Sequence, residues 1–234
     1  MIYDLEGNYG SGDCKFTKNP ARNARDILRP FALLAETAFV NFVYRHPNPT
    51  GYRTFLEQTY HYVRETVPTL RRVAAMNPHS ALAGELSRLA DEEEDHDTML
   101  LNDLAQLSGL PSRIPISPPL LDYIRHAQSI PPGRGGLSAI CGDIVAMEGY
   151  PPTPQGIRWI AGKFKISERA CTALLEHAVA DAVHAPQAFE RLGNREIDPW
   201  IALGRAVTTL KTFTAHWEWL SKQVAEIESA SVED

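Results

Sequence analysis

The chain reads as an all-α protein, a single bundle of seven helices, and three observations predict it. Pro and Gly punctuate the sequence into long stretches rather than short ones. Within those stretches apolar residues recur every three or four positions, the spacing that keeps them on one side of a helix. Nothing shows sustained period-two alternation bounded by turn signals, so no sheet is predicted.

Residues 1–18 are polar and Gly-rich and read as an N-terminal segment with no apolar stretch for secretion. The first helix is predicted over 19–44, stopping before His46-Pro47-Asn48-Pro49. A second covers 51–76, bent or broken at Pro68. A third runs over 80–107, with Ser80 as N-cap and Gly109-Leu110-Pro111 as its stop. A Pro-rich connection through Pro111, Pro115, Pro118 and Pro119 leads to a short helix over 120–129. After Pro131-Pro132-Gly133 comes a helix over 137–150, closed by Pro151-Pro152. Two more follow, 167–192 and 199–227. One helical domain over 19–228 and a frayed acidic tail over 229–234 complete the expectation.

Composition narrows the function classes. With 234 residues, 44% hydrophobic and 22% charged, the chain can bury one sizeable core and is not a disordered polymer. Lys plus Arg number 23 against 29 for Asp plus Glu, a net charge of −6 that disfavours a phosphate-tracking, nucleic-acid-binding surface. No uncharged apolar run reaches membrane-span length, since Phe31 to Tyr44 is interrupted by Glu36, so neither membrane insertion nor export is expected and the location expected is cytoplasmic. Cys14, Cys141 and Cys171 are odd in number and lack metal-type spacing, which argues against a disulfide framework and a thiolate zinc site.

The chemistry shows where polar residues interrupt apolar seams. In the third helix the seam reads Leu82, Leu86, Leu89, Glu93, His96, Leu100, Leu104, Leu107, so Glu93 and His96 occupy leucine positions. Their acidic neighbours, Asp91, Glu92, Glu94, Asp95 and Asp97, read as a solvated face. The helix over 167–192 carries Ala170, Leu174, His177, Asp181, His184 and Ala188 on one side, and its many alanines and valines predict burial on most sides. At 100° per residue His177, Asp181 and His184 fall within about 60° of one another. A buried carboxylate and two buried imidazoles need partners, either one another or a metal. Glu148 interrupts the seam Leu137, Cys141, Ile144 in the same way, although an arginine partner would explain a lone buried Glu equally well. Three carboxylates and three imidazoles without a thiolate suit two divalent first-row ions with open positions, which would leave one net positive charge in the core. Only Glu93-x-x-His96 follows the Glu-x-x-His pattern that ferritin-like carboxylate proteins use twice.

Glu93-x-x-His96, a lone Glu148 within Met147-Glu148-Gly149, then His177-x-x-x-Asp181-x-x-His184 resembles the haem-oxygenase-like di-iron oxidases, and especially their alkene-forming fatty-acid decarboxylases. Phe55-Leu56-Glu57-Gln58-Thr59-Tyr60-His61-Tyr62-Val63 is similar to the second helix of that TenA/PqqC-like superfamily. The likeness covers residues 50–190. Members of the family often place more residues between the first Glu and His, with a broken helix there; here the seam favours Glu93 over Glu92.

The resemblance implies a seven-helix fold, a cofactor of two Fe(II) ions (manganese or a mixed pair being compatible), dioxygen as co-substrate, and an external reductant. Glu93, His96 and His177 are expected around one iron, and Glu148, Asp181 and His184 around the other, with one or more carboxylates bridging. A homodimer and a small carboxylate-bearing substrate, a fatty acid or an amino acid, are expected with it. Arg64, Arg71, Arg72, Lys163 and Lys165 are the candidate head-group cations.

Two rivals remain at this stage: a metal-free TenA-type hydrolase and a non-enzymatic metal-binding bundle. The first is disfavoured by Thr59 after Gln58, where that family carries Asp, and by the unusual context of Cys141. His61 reads as exposed or as a neighbour of the ligands, and His46, His79, His126 and His216 as structural.

Overall fold

The computed structural model describes residues 23–107 and 114–230. The N-terminal segment over 1–18 with its Cys14, the expected stop at Gly109-Leu110-Pro111 and the last four residues of the expected tail lie outside them. Among the described residues the chain is all-α, with no β-strand.

The helices are α1 (Ala24–Arg45), α2 (Pro49–Val63), α3 (Thr66–Met76), α4 (Ala81–Glu92), α5 (His96–Ala105), α6 (Pro118–Gln128), α7 (Arg134–Glu148), α8 (Pro154–Phe164), α9 (Thr172–Arg191) and α10 (Pro199–Ala230). Taking α2 with α3 and α4 with α5, these give the seven predicted stretches and one helix more. The addition, α8, has ordinary start signals: Thr153 accepts a hydrogen bond from the Gly156 N–H and Pro154 opens the first turn. Ile157, Ile160, Ala161 and Phe164 then bury one face at helical spacing. Pro151-Pro152, read as the close of the preceding helix, stand just before this start.

The predicted breaks move. The second stretch divides at Arg64 and Glu65, not at Pro68, which sits in the first turn of α3 where its missing N–H costs nothing. The third is not continuous over 80–107: it stops at Glu92 and restarts at His96, with Asp95 in the left-handed region at φ 69°. Asp tolerates that conformation better than most side chains, and it turns the chain so that Glu93 and His96 still face the same way. α9 begins at Thr172 after a short 3₁₀ turn over Glu168–Ala170, and its first turn is held by Asp103, which accepts from the Thr172 hydroxyl and the Ala173 N–H. At the other end of the chain, Ser229 and Ala230 belong to the last turn of α10 rather than to a tail.

Two apolar clusters build the core. One joins Leu28, Leu70, Leu82, Leu86, Leu89, Leu137, Ile144 and Leu210. The other joins Phe39, Phe42, Tyr52, Phe55, Leu100, Ile157, Phe164 and Trp217. The long helices α1, α9 and α10 contribute to both, which places the middle of α9 and the α4–α5 break at the seam between them. α1 is long and apolar enough, by length and composition alone, to cross a bilayer, although Glu36 interrupts its apolar run. Its Leu28, Phe39, Phe42 and Val43 are nevertheless buried in the core alongside α10. α7 and α10 touch almost backbone to backbone at Gly142, where a Cβ would lie 2.3 Å from the Ala202 carbonyl oxygen. α9 is not buried on most sides: Val179 and Val183 are 63% and 62% exposed, and only the face carrying His177, Asp181 and His184 turns inward.

Candidate metal centre

Four helix segments supply the polar residues. Glu93 closes α4 and donates its backbone N–H to the Leu89 carbonyl, His96 opens α5, Glu148 ends α7, and α9 provides His177, Asp181 and His184. Glu93, although only 8% exposed, accepts a 2.8 Å hydrogen bond from His96 Nδ1. The His96 and His177 rings meet edge to face, 4.3 Å between centroids.

Two groups of ligand atoms result. One atom each from Glu93, His96 and His177 lie within 4.8 Å of one another, and so do one atom each from Glu93, Glu148 and His184. Glu93 therefore belongs to both groups. Asp181 joins through His184, whose Nδ1 is 3.8 Å from its Oδ1. Glu92 is more exposed, pairs with Arg88, and approaches His184 Nε2 at 3.5 Å. Glu94 pairs with Arg71 at the surface. His61 belongs to neither group.

The electrostatics are those of crowded acids in an apolar seam. Burial, with Asp181 and Glu93 close by, pushes the Glu148 carboxyl up to about 8. Burial and Glu93 push Asp181 up to about 7. Glu93 is itself buried, yet the hydrogen bond from His96 and the nearby His177 and His184 hold it below the ordinary value. The Glu93 bond raises His96, whereas burial lowers His177.

Whether the set fits two metal ions can be tested on its unsatisfied atoms. Glu148 Oε2 and His184 Nδ1 are buried with no hydrogen-bond partner among the described residues, and they lie 4.0 Å apart. Among the described residues no arginine hydrogen bonds to Glu148; the nearby Arg191 acts on it through its charge alone and pairs with Glu85. Leaving such groups unmade costs about 1–3 kcal/mol each, more for a charge. A divalent cation between them removes that cost, and three carboxylates with three imidazoles are the donors that iron, manganese or zinc accept. The residues fit.

A pH dependence follows. Both raised acids keep protons in the folded chain at pH values where the unfolded chain has lost them, so the folded state binds more protons and stability falls as pH climbs from about 4 to about 8. His96 adds to that slope, and His177 opposes it at the acid end. Metal must displace the same protons, so its affinity rises with pH. Melting curves at about pH 5, 6.5 and 8 should show the midpoint in chelator falling while the increment given by Zn(II) grows; an increment independent of pH would contradict this proton linkage.

A cavity of about 280 Å³ opens beside the centre. Glu93, Glu148, His177 and Asp181 line one part of it, and Phe39, Phe55, Leu100, Ile157 and Trp217 form apolar walls. None of the five expected cations lines it. Arg64 pairs with Glu65, Arg71 with Asp91 and Glu94, Arg72 donates to the Ala127 and Ile130 carbonyls, Lys163 lies over Tyr44 and Trp159, and Lys165 is the exposed C-cap of α8. Cys141 is buried, off the cavity, and burial pushes its thiol up to about 12, which does not suit a nucleophile. His46 and His216 are buried in contacts of their own, with Glu228 and Ser117 respectively.

The sequence reading missed Tyr62, Tyr123 and Asp143 on the cavity wall, and the bidentate Arg205–Asp143 pair behind it. The signal was present for Asp143, which interrupts the seam of Ile140, Ala146 and Met147 as Glu148 does its own.

An all-α bundle with carboxylates and imidazoles turned into its core defines the class, and the fold is haem-oxygenase-like. The chain is similar to a solved domain of unknown function with a haem-oxygenase-like fold from Shewanella denitrificans OS217, with a TM-score of 0.62 and 17% identity over 87% of this chain and 92% of that one. No protein-family model and no curated protein matches the chain.

Proposed function

We propose that the chain is a non-haem di-iron oxidase or oxygenase that uses dioxygen and an external reductant to oxidise a small carboxylate-bearing substrate, a fatty acid or an amino acid. The observation that carries the reading is the pair of ligand groups joined at Glu93, with Glu148 Oε2 and His184 Nδ1 unsatisfied beside an apolar cavity.

Glu93, His96 and His177 would hold one iron and Glu148, Asp181 and His184 the other, with Glu93 shared between them. When bound, the two Fe(II) ions supply electrons to dioxygen. The chain supplies the rest. Glu148 and Asp181 give up their protons on loading, which makes their oxygens ligands. Phe39, Phe55, Leu100, Ile157 and Trp217 keep water from the reacting end and offer their surface to an alkyl chain or ring. Since no Lys or Arg among the described residues lines the cavity, the counter-charge for a substrate carboxylate would be the loaded centre itself, with its one net positive charge.

Anaerobic titration should show two Fe(II) bound per chain. His184→Ala should halve that number or abolish binding, because it removes one of two imidazoles on α9. Mixing the loaded protein with oxygenated buffer should consume dioxygen, faster in the presence of a medium-chain fatty acid or an apolar amino acid. A protein that binds iron but consumes no dioxygen with any candidate would be a metal-binding bundle rather than an oxidase. Failure to bind iron would dismiss both.

A further inference from the structure

The cavity wall away from the metal ligands is not uniformly apolar. Asp143 and Glu148 sit on the two edges of one face of α7, centred on Ile144 and Met147, and are about 7.5 Å apart along the helix axis. Asp143 is almost wholly buried and accepts from Arg205 Nε at 2.7 Å, from an Arg205 terminal nitrogen at 2.9 Å and from the Thr209 hydroxyl at 2.6 Å. Tyr123 stands on the same wall, its ring tilted against Phe213 at 5.6 Å and 5.6 Å beneath the Arg205 guanidinium. Its hydroxyl has no hydrogen-bond partner among the described residues, and burial beside Asp143 raises its pKa well above the ordinary value.

A phenol on the cavity wall with an unused donor and acceptor pairs with water or with a polar atom of whatever fills the cavity. The charges around it restrict what that can be. Arg205 already balances Asp143, and the other two carboxylates of the wall, Glu36 and Glu65, have partners of their own, so an ammonium gains little there. Among the described residues no Lys or Arg lines the cavity, so a second carboxylate would lack a partner. Size sets the other bound: an engineered cavity of about 150 Å³ holds benzene, which makes one of about 280 Å³ room for roughly eleven non-hydrogen atoms.

We infer that the cavity takes a ligand of about a dozen non-hydrogen atoms carrying, besides the end that meets the metal centre, an uncharged hydroxyl or carbonyl oxygen held by the Tyr123 hydroxyl. The inference deepens the oxidase reading and rests on it for the ligand's role as substrate. The discrimination itself resides in the chain.

Two probe pairs test it by calorimetry on metal-free and on Zn(II)-treated protein: decanoate with 10-hydroxydecanoate, and 4-phenylbutanoate with 4-(4-hydroxyphenyl)butanoate. In at least one pair the hydroxylated member should bind about three- to tenfold more tightly, the worth of one net hydrogen bond. Tyr123→Phe, which keeps the ring and its packing, should erase that preference and leave the parent compound's affinity unchanged. Equal binding within both pairs, a preference that survives in Tyr123→Phe, or no binding by any of the four probes would overturn it. Because zinc and iron content are measured on the same samples, a chain that discriminates the hydroxyl but holds no metal sinks the oxidase reading and leaves the subsite standing; the opposite pattern does the reverse.

Discussion

Glu93→Gln should strip metal from both groups at once, where every other single ligand change removes it mainly from one. The expectation rests on Glu93 alone being common to the two groups of ligand atoms. Substituting a residue that only orients a ligand costs about 10- to 100-fold in metal affinity, so losing a shared carboxylate should exceed that range. Glutamine keeps the size of the side chain and its place at the end of α4, and far-ultraviolet circular dichroism should stay that of the parent. Relieved of the Glu93 charge, Glu148 and Asp181 should also titrate lower in the metal-free variant, since Glu93 helps to raise both. The comparison residue is Glu94, exposed and paired with Arg71. Glu94→Ala should keep its iron. Glu92→Ala should fall between, because Glu92 approaches His184 without belonging to either group. Two irons retained by Glu93→Gln would dismiss the shared-carboxylate arrangement, and iron lost from Glu94→Ala would mean that the α4–α5 break faces the other way.

Much of this was legible in the sequence because burial is periodic and buried charge is expensive. The seam argument that selected Glu93 over Glu94 needs only helical spacing, and the folded chain buries the one and exposes the other. It worked on α9 for a reason it did not anticipate. His177, Asp181 and His184 turn inward although Val179 and Val183 do not, so three polar residues at one spacing carried more information than the apolar content around them. The break at Asp95 was hidden, because a turn of three residues keeps Leu89, Glu93, His96 and Leu100 in phase while interrupting the helix. α8 was hidden by its own prolines, which mark helix starts as readily as loops. The cations of α3 and α8 illustrate a third limit: whether an arginine faces a cavity or a neighbouring carbonyl depends on contacts distant in sequence, as Arg72 and Ala127 show.

Arg205→Met should destabilise the fold by about 3–5 kcal/mol, because it leaves the buried Asp143 carboxylate with a single hydroxyl partner. The guanidinium now supplies two of its three hydrogen bonds and lies over the Tyr123 ring, a contact worth about 0.5–2 kcal/mol. Burial already pushes Asp143 up, and without Arg205 the acid should take a proton in the folded state. The folded chain then binds one more proton than the unfolded chain at neutral pH, so the penalty should be smallest near pH 4 and grow as pH rises. Combining Asp143→Leu with Arg205→Met should recover most of the loss, since a buried pair replaced by apolar side chains is often neutral. Urea midpoints at about pH 5 and pH 8 for the parent, both single variants and the double variant measure all of this. Fe(II) bound by the folded fraction should not change, because Asp143 is not a member of either ligand group. A single variant as stable as the parent would show that the pair contributes nothing to folding. A variant that folds but loses iron would place Asp143 and Arg205 among the supports of the metal centre rather than on the far wall of its cavity.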